Sequence, residues 1–205
     1  MSDDECCKNA MEETTRLFKK FKPPLLEIPK ERCKFYGKYA VTDHGHVWNV
    51  RLNREVKIDR VKNNTYMKVR FIGKKFERVN RVVMKLFGPK NPNPDYFTCV
   101  DHIDHNTHNN AISNLRYLPN WQNSLWRKNV KGWMKHENKK NKKKPYQTRI
   151  RTPATGKISI GHYHTAEEAN ERYLECRDRA MQLSLGDLVI RSKDSIKSFV
   201  RTGEF

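Results

Sequence analysis

The sequence predicts a mixed α+β chain assembled from small modules, and three observations predict it. Short runs alternate apolar and polar residues with period two, as Met67, Val69 and Phe71 do against Lys68 and Arg70, the pattern of half-buried strands. Other stretches, residues 80–87 and those after Thr165, carry apolar residues at helical spacing. Pro23-Pro24, Asn91-Pro92-Asn93-Pro94 and a lysine-rich stretch around 135–144 break the chain into pieces. A length of 205 residues allows one ordinary domain or two small ones.

Charge narrows the partner. The chain carries a formal charge of +19 and a pI of about 9.8, which points to a polyanion, with nucleic acid first. A membrane surface is a poorer match: there is no long basic amphipathic helix and no apolar run long enough to span. The first residues, Met1-Ser2-Asp3-Asp4-Glu5, are acidic and unlike a secretory signal. Cys6, Cys7, Cys33, Cys99 and Cys176 are scattered, odd in number and without a C-x-x-C pair, as expected of free thiols in a reducing compartment. These features predict an intracellular protein of the cytoplasm or nucleus, not secreted.

Residues 4–22 read as a helix, acidic first and basic last, ended by the two prolines, within a leader spanning 1–35. A β-rich segment follows over 36–90. Tyr39-Ala40-Val41-Thr42 and Val47-Trp48-Asn49-Val50 flank the turn Asp43-His44-Gly45-His46, and Met67 to Phe71 turns into Phe76-Glu77-Arg78-Val79. A helix over 80–87 has Val83, Leu86 and Phe87 on its apolar side and stops at Gly88-Pro89. Lys68, Arg70, Lys74, Lys75 and Arg78 form either a phosphate-binding face or a solvated one.

The chemistry concentrates between residues 91 and 128. Cys99-Val100 with Ile103, and Leu115 with Tyr117-Leu118, read as two strands joined by an Asn-rich loop. Asn120 reads as the N-cap of a short helix carrying Trp121, Asn123 and Trp126. Strand, loop, strand and helix would gather Asp101, His102, Asn114 and Asn123. A carboxylate and a carboxamide oxygen are hard ligands suited to Mg²⁺ or Mn²⁺. A neighbouring imidazole can take a proton from water near neutral pH, and a second carboxamide can fix its tautomer. The simpler reading is a polar hairpin whose asparagines serve only the turn. His102, His105 and His108 also show H-x-x-H-x-x-H spacing, but without the Cys partners or helical His spacing that structural zinc sites use.

Asp101-His102, Asn114-Leu115-Arg116 and Asn123 resemble the HNH endonucleases with a ββα-metal core, in the homing branch found in phage and introns. The resemblance implies a general base at His102, Asn114 orienting it, and one Mg²⁺ or Mn²⁺ held by Asp101 and Asn123. It implies one-metal hydrolysis of DNA phosphodiesters that leaves 5′ phosphate and 3′ hydroxyl. Tyr39, Val41, Thr42, Gly45 and Val47 resemble the sequence that often precedes the nuclease in such enzymes. One position departs: the family has Gly where this chain has His105. His visits positive φ more readily than most residues, so the turn is expected to survive with some strain.

A C-terminal module is expected over 129–182. Residues 146–151 and 157–160 alternate around a turn at Pro153-Ala154-Thr155-Gly156. Thr165 and Glu168 form a capping box before a helix with Ala169, Tyr173, Cys176 and Ala180 on one stripe. Gly132, Tyr146, Arg149, Ile150, Gly161, Tyr163, Thr165, Glu167, Glu168, Ala169 and Tyr173 resemble the plant ethylene-response-factor (AP2-like) DNA-binding domain, three strands and a helix. That resemblance implies a sheet in the major groove, with Trp133, Lys135, Gln147, Arg149 and Arg151 as readers. Arg116, Lys128, Lys131 and the lysine-rich stretch would contact phosphates. The tail, 183–205, has no assigned role, with a last helix possible around Ile196 and Phe199.

The sequence thus predicts an α+β protein with a ββα-metal HNH core, a β-rich segment before it and a three-stranded sheet plus helix after it. Its expected function is a metal-dependent, homing-type nickase acting on double-stranded DNA as a monomer, from a viral or phage mobile element. The alternative is a non-catalytic DNA-binding protein that keeps the hairpin as scaffold. An RNA-directed protein lacks the aromatic-rich sheet motif of the common RNA-binding modules.

Overall fold

The structure, a computed structural model, describes residues 32–52, 54–56, 66–71, 76–127, 130–136 and 143–205. The expected leader helix, Lys74, Lys75, Lys128 and most of the lysine-rich stretch lie outside them. The described residues form a mixed α and β structure with several small antiparallel sheets and five helices. They fall into two compact units, Met1–Pro94 with Val100–Tyr117, and Asp95–Cys99 with Leu118–Phe205. The β-rich segment and residues 100–117 fall in one unit, while the short helix after them belongs to the other.

In the first unit, β1 (Cys33–Tyr36), β2 (Tyr39–Thr42), β3 (Val47–Asn49) and β4 (Arg54–Glu55) make a four-stranded sheet in chain order. β5 (Lys68–Arg70) pairs with β6 (Phe76–Arg78), which runs into α1 (Val79–Phe87). With nine residues α1 is too short to be helical alone. Its buried stripe of Val79, Val82 and Val83 packs with Val41, Val47, Val69 and Phe71, and that burial drives it. Gly88 is the C-cap, and a Cβ there would lie 2.5 Å from the Met84 carbonyl oxygen, so glycine is needed at this helix end. β7 (Cys99–His102) and β8 (Leu115–Leu118) form a two-stranded sheet, with a 3₁₀ turn at Ile112–Asn114 before β8. Leu115 joins the same core, and Asn80 of α1 donates to the Val100 carbonyl at 3.0 Å, so α1 steadies β7.

In the second unit, α2 (Asn120–Trp126) is followed by β9 (Trp133–Lys135), β10 (Tyr146–Thr152) and β11 (Gly156–Tyr163), with β10 at the centre of the sheet. Thr148, Ile150 and Thr152 are buried and alternate with Arg149 and Arg151. α3 (Ala166–Gln182) buries the predicted stripe of Ala169, Tyr173, Cys176 and Ala180. Thr165 caps it by accepting from Glu168 N at 3.1 Å, whereas the Glu168 carboxylate bonds His164 N rather than closing the expected box on Thr165. α4 (Leu185–Ile190) and α5 (Lys193–Thr202) complete the unit, and α5 buries Ile196 and Val200.

Asn120 is not the N-cap of α2. Pro119 takes that position, and Asn120 is the first helical residue. Trp121 and Leu125 pack on the core of this unit, and Gln122 donates to the Met181 and Leu183 carbonyls at 3.0 and 3.2 Å. Those contacts explain why α2 groups with the C-terminal sheet.

His105 has φ 60, alone in the positive region among the described residues other than glycine. The strain foreseen where the family has Gly is therefore present. His105→Gly is expected to stabilise the protein by about 0.5–1 kcal/mol, since the αL penalty of an L-residue exceeds glycine's entropic cost. Urea unfolding would check it, and a destabilised variant would contradict it.

Candidate active site

Asp101 and His102 end β7, side by side and buried, at 9% and 3% exposure. The carboxamide that meets the imidazole is Asn110's. Its Oδ1 lies 3.1 Å from His102 Nε2. The Asn110 Nδ2 donates to Met67 Sδ at 3.1 Å and to the His108 carbonyl at 3.3 Å, which turns its oxygen toward the ring. Nε2 must then carry the proton, leaving a lone pair on Nδ1. That Nδ1 is buried and has no hydrogen-bond partner among the described residues. A buried, unpartnered ring nitrogen on a tautomer fixed from its far side is the arrangement a general base needs.

Asn114 does something other than the expected orienting of His102. Standing at the end of the 3₁₀ turn, it folds back on the loop, accepting from Asp104 N at 3.1 Å. Its Nδ2 donates to Asp104 Oδ1 and to the Asn109 carbonyl, both at 2.8 Å. Asp104 also accepts from Asn106 N and Asn109 Nδ2, each at 2.8 Å. Asn114 therefore holds the loop, and Asn110 holds the His102 ring. Both are Asn in an Asn-rich loop, so residue type alone could not separate them.

Burial pushes the Asp104 carboxyl up, but the bonds from Asn109, Asn106 and Asn114 outweigh it. The net result lies below the ordinary 3.8. A carboxyl depressed in the fold adds stability above the unfolded pKa, and that stability is lost as pH falls through the folded value. Asp104→Asn is thus expected to destabilise at neutral pH by about 1 kcal/mol, discounted for solvent screening. The difference from wild type should shrink below about pH 4. Unfolding curves at neutral and acid pH measure this, and a difference that grows on acidification would contradict it.

The loop is braced from the β2–β3 turn in the same unit. Ile112 N donates to the Asp43 carbonyl at 2.7 Å. Gly45 has φ +90, and a Cβ there would lie 2.6 Å from the Asn110 Cβ and 3.3 Å from Val79 Cγ1. Only glycine lets the turn approach Asn110 this closely. Asp43 anchors the turn: Arg32 bonds its carboxylate through N at 3.1 Å and Nε at 2.9 Å, and His44 at 3.0 Å. Sequence reasoning did not single out Gly45 or Asn110 as residues that position the His102 ring.

Of the two expected metal ligands, Asp101 sits next to His102, while Asn123 lies on α2 of the second unit, half-buried. Arg116 Nε pairs with Asp101 Oδ2 at 3.0 Å, so a cation at Asp101 would meet Oδ1. No group of three His, Cys, Asp or Glu gathers among the described residues, and His105 and His108 are not joined with His102 in one. A single sheltered carboxylate beside an imidazole fits a hard cation that keeps most of its water.

Residues 78–125 match the family model described as HNH endonuclease. The matched segment runs from the end of β6 to α2, and it contains Asp101, His102, Asn110, Asn114 and Asn123. The match supports a nuclease. Among solved structures the chain is similar to the HNH homing endonuclease I-HmuI, in a structure concerned with its DNA binding and cleavage. The TM-score is 0.39, with 24% identity over 79% of this chain and 94% of that chain. Among curated proteins none matches the chain.

Beyond the HNH segment, the expected DNA readers do not share one sheet face. Gln147 pairs in register with Met134, and Trp133 with Thr148, whose hydroxyl is buried against the Ala169 carbonyl. Trp133 and Lys135 therefore project on the helix side of β9. Trp133 nonetheless lines a concavity of about 350 Å³ together with Lys131, Gln147, Arg149 and Arg151. Lys135 is outside that lining and stands 6.0 Å from the Tyr146 ring centroid. Gln147 already accepts from His136 Nε2 at 2.8 Å, a partner the sequence did not disclose. Among the described residues no helix is long and apolar enough to cross a membrane.

Proposed function

We propose that this chain is a metal-dependent endonuclease that hydrolyses DNA phosphodiester bonds, a homing-type enzyme that nicks one strand of double-stranded DNA as a monomer. The observation that carries the reading is the His102 imidazole, held in one tautomer by Asn110 with Nδ1 left for a proton, beside the Asp101 carboxylate. In this reading His102 takes the proton of the attacking water at Nδ1 while Asn110 keeps the ring from turning. Asp101 and Asn123 would hold one Mg²⁺ or Mn²⁺. When bound there, that ion supplies Lewis-acid stabilisation of the charge that builds on the phosphate oxygens. Asn114 acts through the loop, by keeping Asp104 and Asn109 in position.

The C-terminal unit is the DNA grip in this proposal, an AP2-like module of three strands and a helix. Supporting it are the sequence resemblance, the exposed Arg151 and the gathering of Lys131, Arg149 and Arg151 at one concavity without an acidic lining residue. Such cations neutralise phosphates, and the aromatic wall adds contact with bases.

The test is conversion of supercoiled plasmid and of genomic DNA from the source by the full chain, with Mg²⁺, with Mn²⁺ and with EDTA. Open circles that need the metal support the nickase, and linear product from the outset would replace nicking with a double-strand cut. Tight, salt-dependent binding without cleavage of either DNA would favour the binding-only protein.

A further inference from the structure

Arg116 stands on β8 beside Asp101 on β7, and their side chains meet at 3.0 Å. The Asp101 side chain is 12% exposed and that of Arg116 31%. A carboxylate this sheltered is costly to leave without a counter-charge. The guanidinium meets that need while leaving Oδ1 to another cation. Once a divalent ion shares the carboxylate, however, two positive groups stand within a few ångströms of each other and repel. Arg116 is the one that can leave: it has a long flexible stem and is more exposed than its partner, and its planar fork suits a phosphate.

We propose that Arg116 is a placeholder cation for the metal site. It neutralises Asp101 in the metal-free protein, lets go when a divalent cation binds, and then contacts a DNA phosphate. The inference rests on the reading of Asp101 as a metal ligand. It implies that metal and DNA binding reinforce each other through Arg116, since each draws on a different state of the same side chain.

The experiment uses the full chain with His102→Ala throughout, so that DNA stays intact. Mn²⁺ binding is titrated calorimetrically without DNA, and duplex DNA binding is measured with and without Mn²⁺ over a salt series. Arg116→Met, an uncharged side chain of similar length, is expected to tighten Mn²⁺ about tenfold, because competition and repulsion both disappear. It should also lower the Mn²⁺-dependent gain in DNA affinity and reduce the salt slope by about one, measured with Mn²⁺ present. Arg116→Lys should restore the slope. Weaker or unchanged Mn²⁺ binding in Arg116→Met would overturn the proposal and make Arg116 a structural brace for Asp101. Asp101→Asn separates the two levels: if Asp101→Asn binds Mn²⁺ as well as its parent, Asp101 is not a ligand and the underlying reading fails with it. If only the parent binds, the reading stands and the Arg116 result decides the placeholder.

Discussion

Replacing His102 with alanine is expected to lower the rate of DNA cleavage by about 10²–10⁴-fold, the contribution of a positioned general base. Binding should survive, because the cationic groups at the C-terminal concavity are untouched. The side chain is buried, so the variant also leaves the Asn110 carboxamide without its ring partner, at a cost of about 1–3 kcal/mol. Circular dichroism and thermal unfolding must therefore accompany the kinetics. Asn110→Ala provides the finer comparison. It keeps the base and frees the tautomer, and a loss of about 10–100-fold is expected, in the range found for outer partners of functional imidazoles. Nitrogen chemical shifts of the ring would show Nδ1 sharing the proton in Asn110→Ala but not in the parent. Wild-type cleavage by folded His102→Ala would end the assignment of the base.

A large effect on stability is expected at Gly45, beside the candidate site. An alanine there meets a backbone at φ +90 and a Cβ contact of 2.6 Å with Asn110, inside any real van der Waals approach. The strained conformation costs about 1–3 kcal/mol and the overpacking about 1–3 more, so Gly45→Ala should lose about 2–6 kcal/mol. Because the atom displaced belongs to Asn110, cleavage should fall at temperatures where the protein is still folded. Gly37→Ala is the control: it shares a positive φ of +59 but meets nothing within 4 Å, so it should show the strain alone and leave cleavage intact. Equal stability losses at the two positions would refute the contact.

Much of the fold was legible because it rests on local patterns. The β2–β3 turn, the alternation in β10, the α3 stripe and the Thr165 cap are all short-range signals, and so was the positive φ of His105. The adjacency of Asp101 and His102 was legible in the same way, since two neighbours on a strand end need no tertiary information to be close. Asn110 was not legible. The loop holds Asn106, Asn109, Asn110 and Asn114, chemically identical, and the choice among them is made by Gly45 and Met67, both more than 40 residues away in sequence. The affiliation of α2 was hidden for a similar reason. Seven residues show which side is apolar but not which core Trp121 and Leu125 will join. In β9, three residues are too few for alternation to say which face Trp133 takes.

The brace between Ile112 N and the Asp43 carbonyl joins residues 69 apart in the chain. No part of the Asn-rich loop can acquire it until the β2–β3 turn and the valine core have closed. In hydrogen exchange, the Ile112 amide should then open only with the unit as a whole, while exposed loop amides exchange through local fraying. Contacts of such separation form late in folding, after the local hairpins. A chain still on its way to the native state thus has Asp101 and His102 next to each other in sequence but no oriented base. The oriented ring proposed to act in hydrolysis would arrive last, with the completed scaffold.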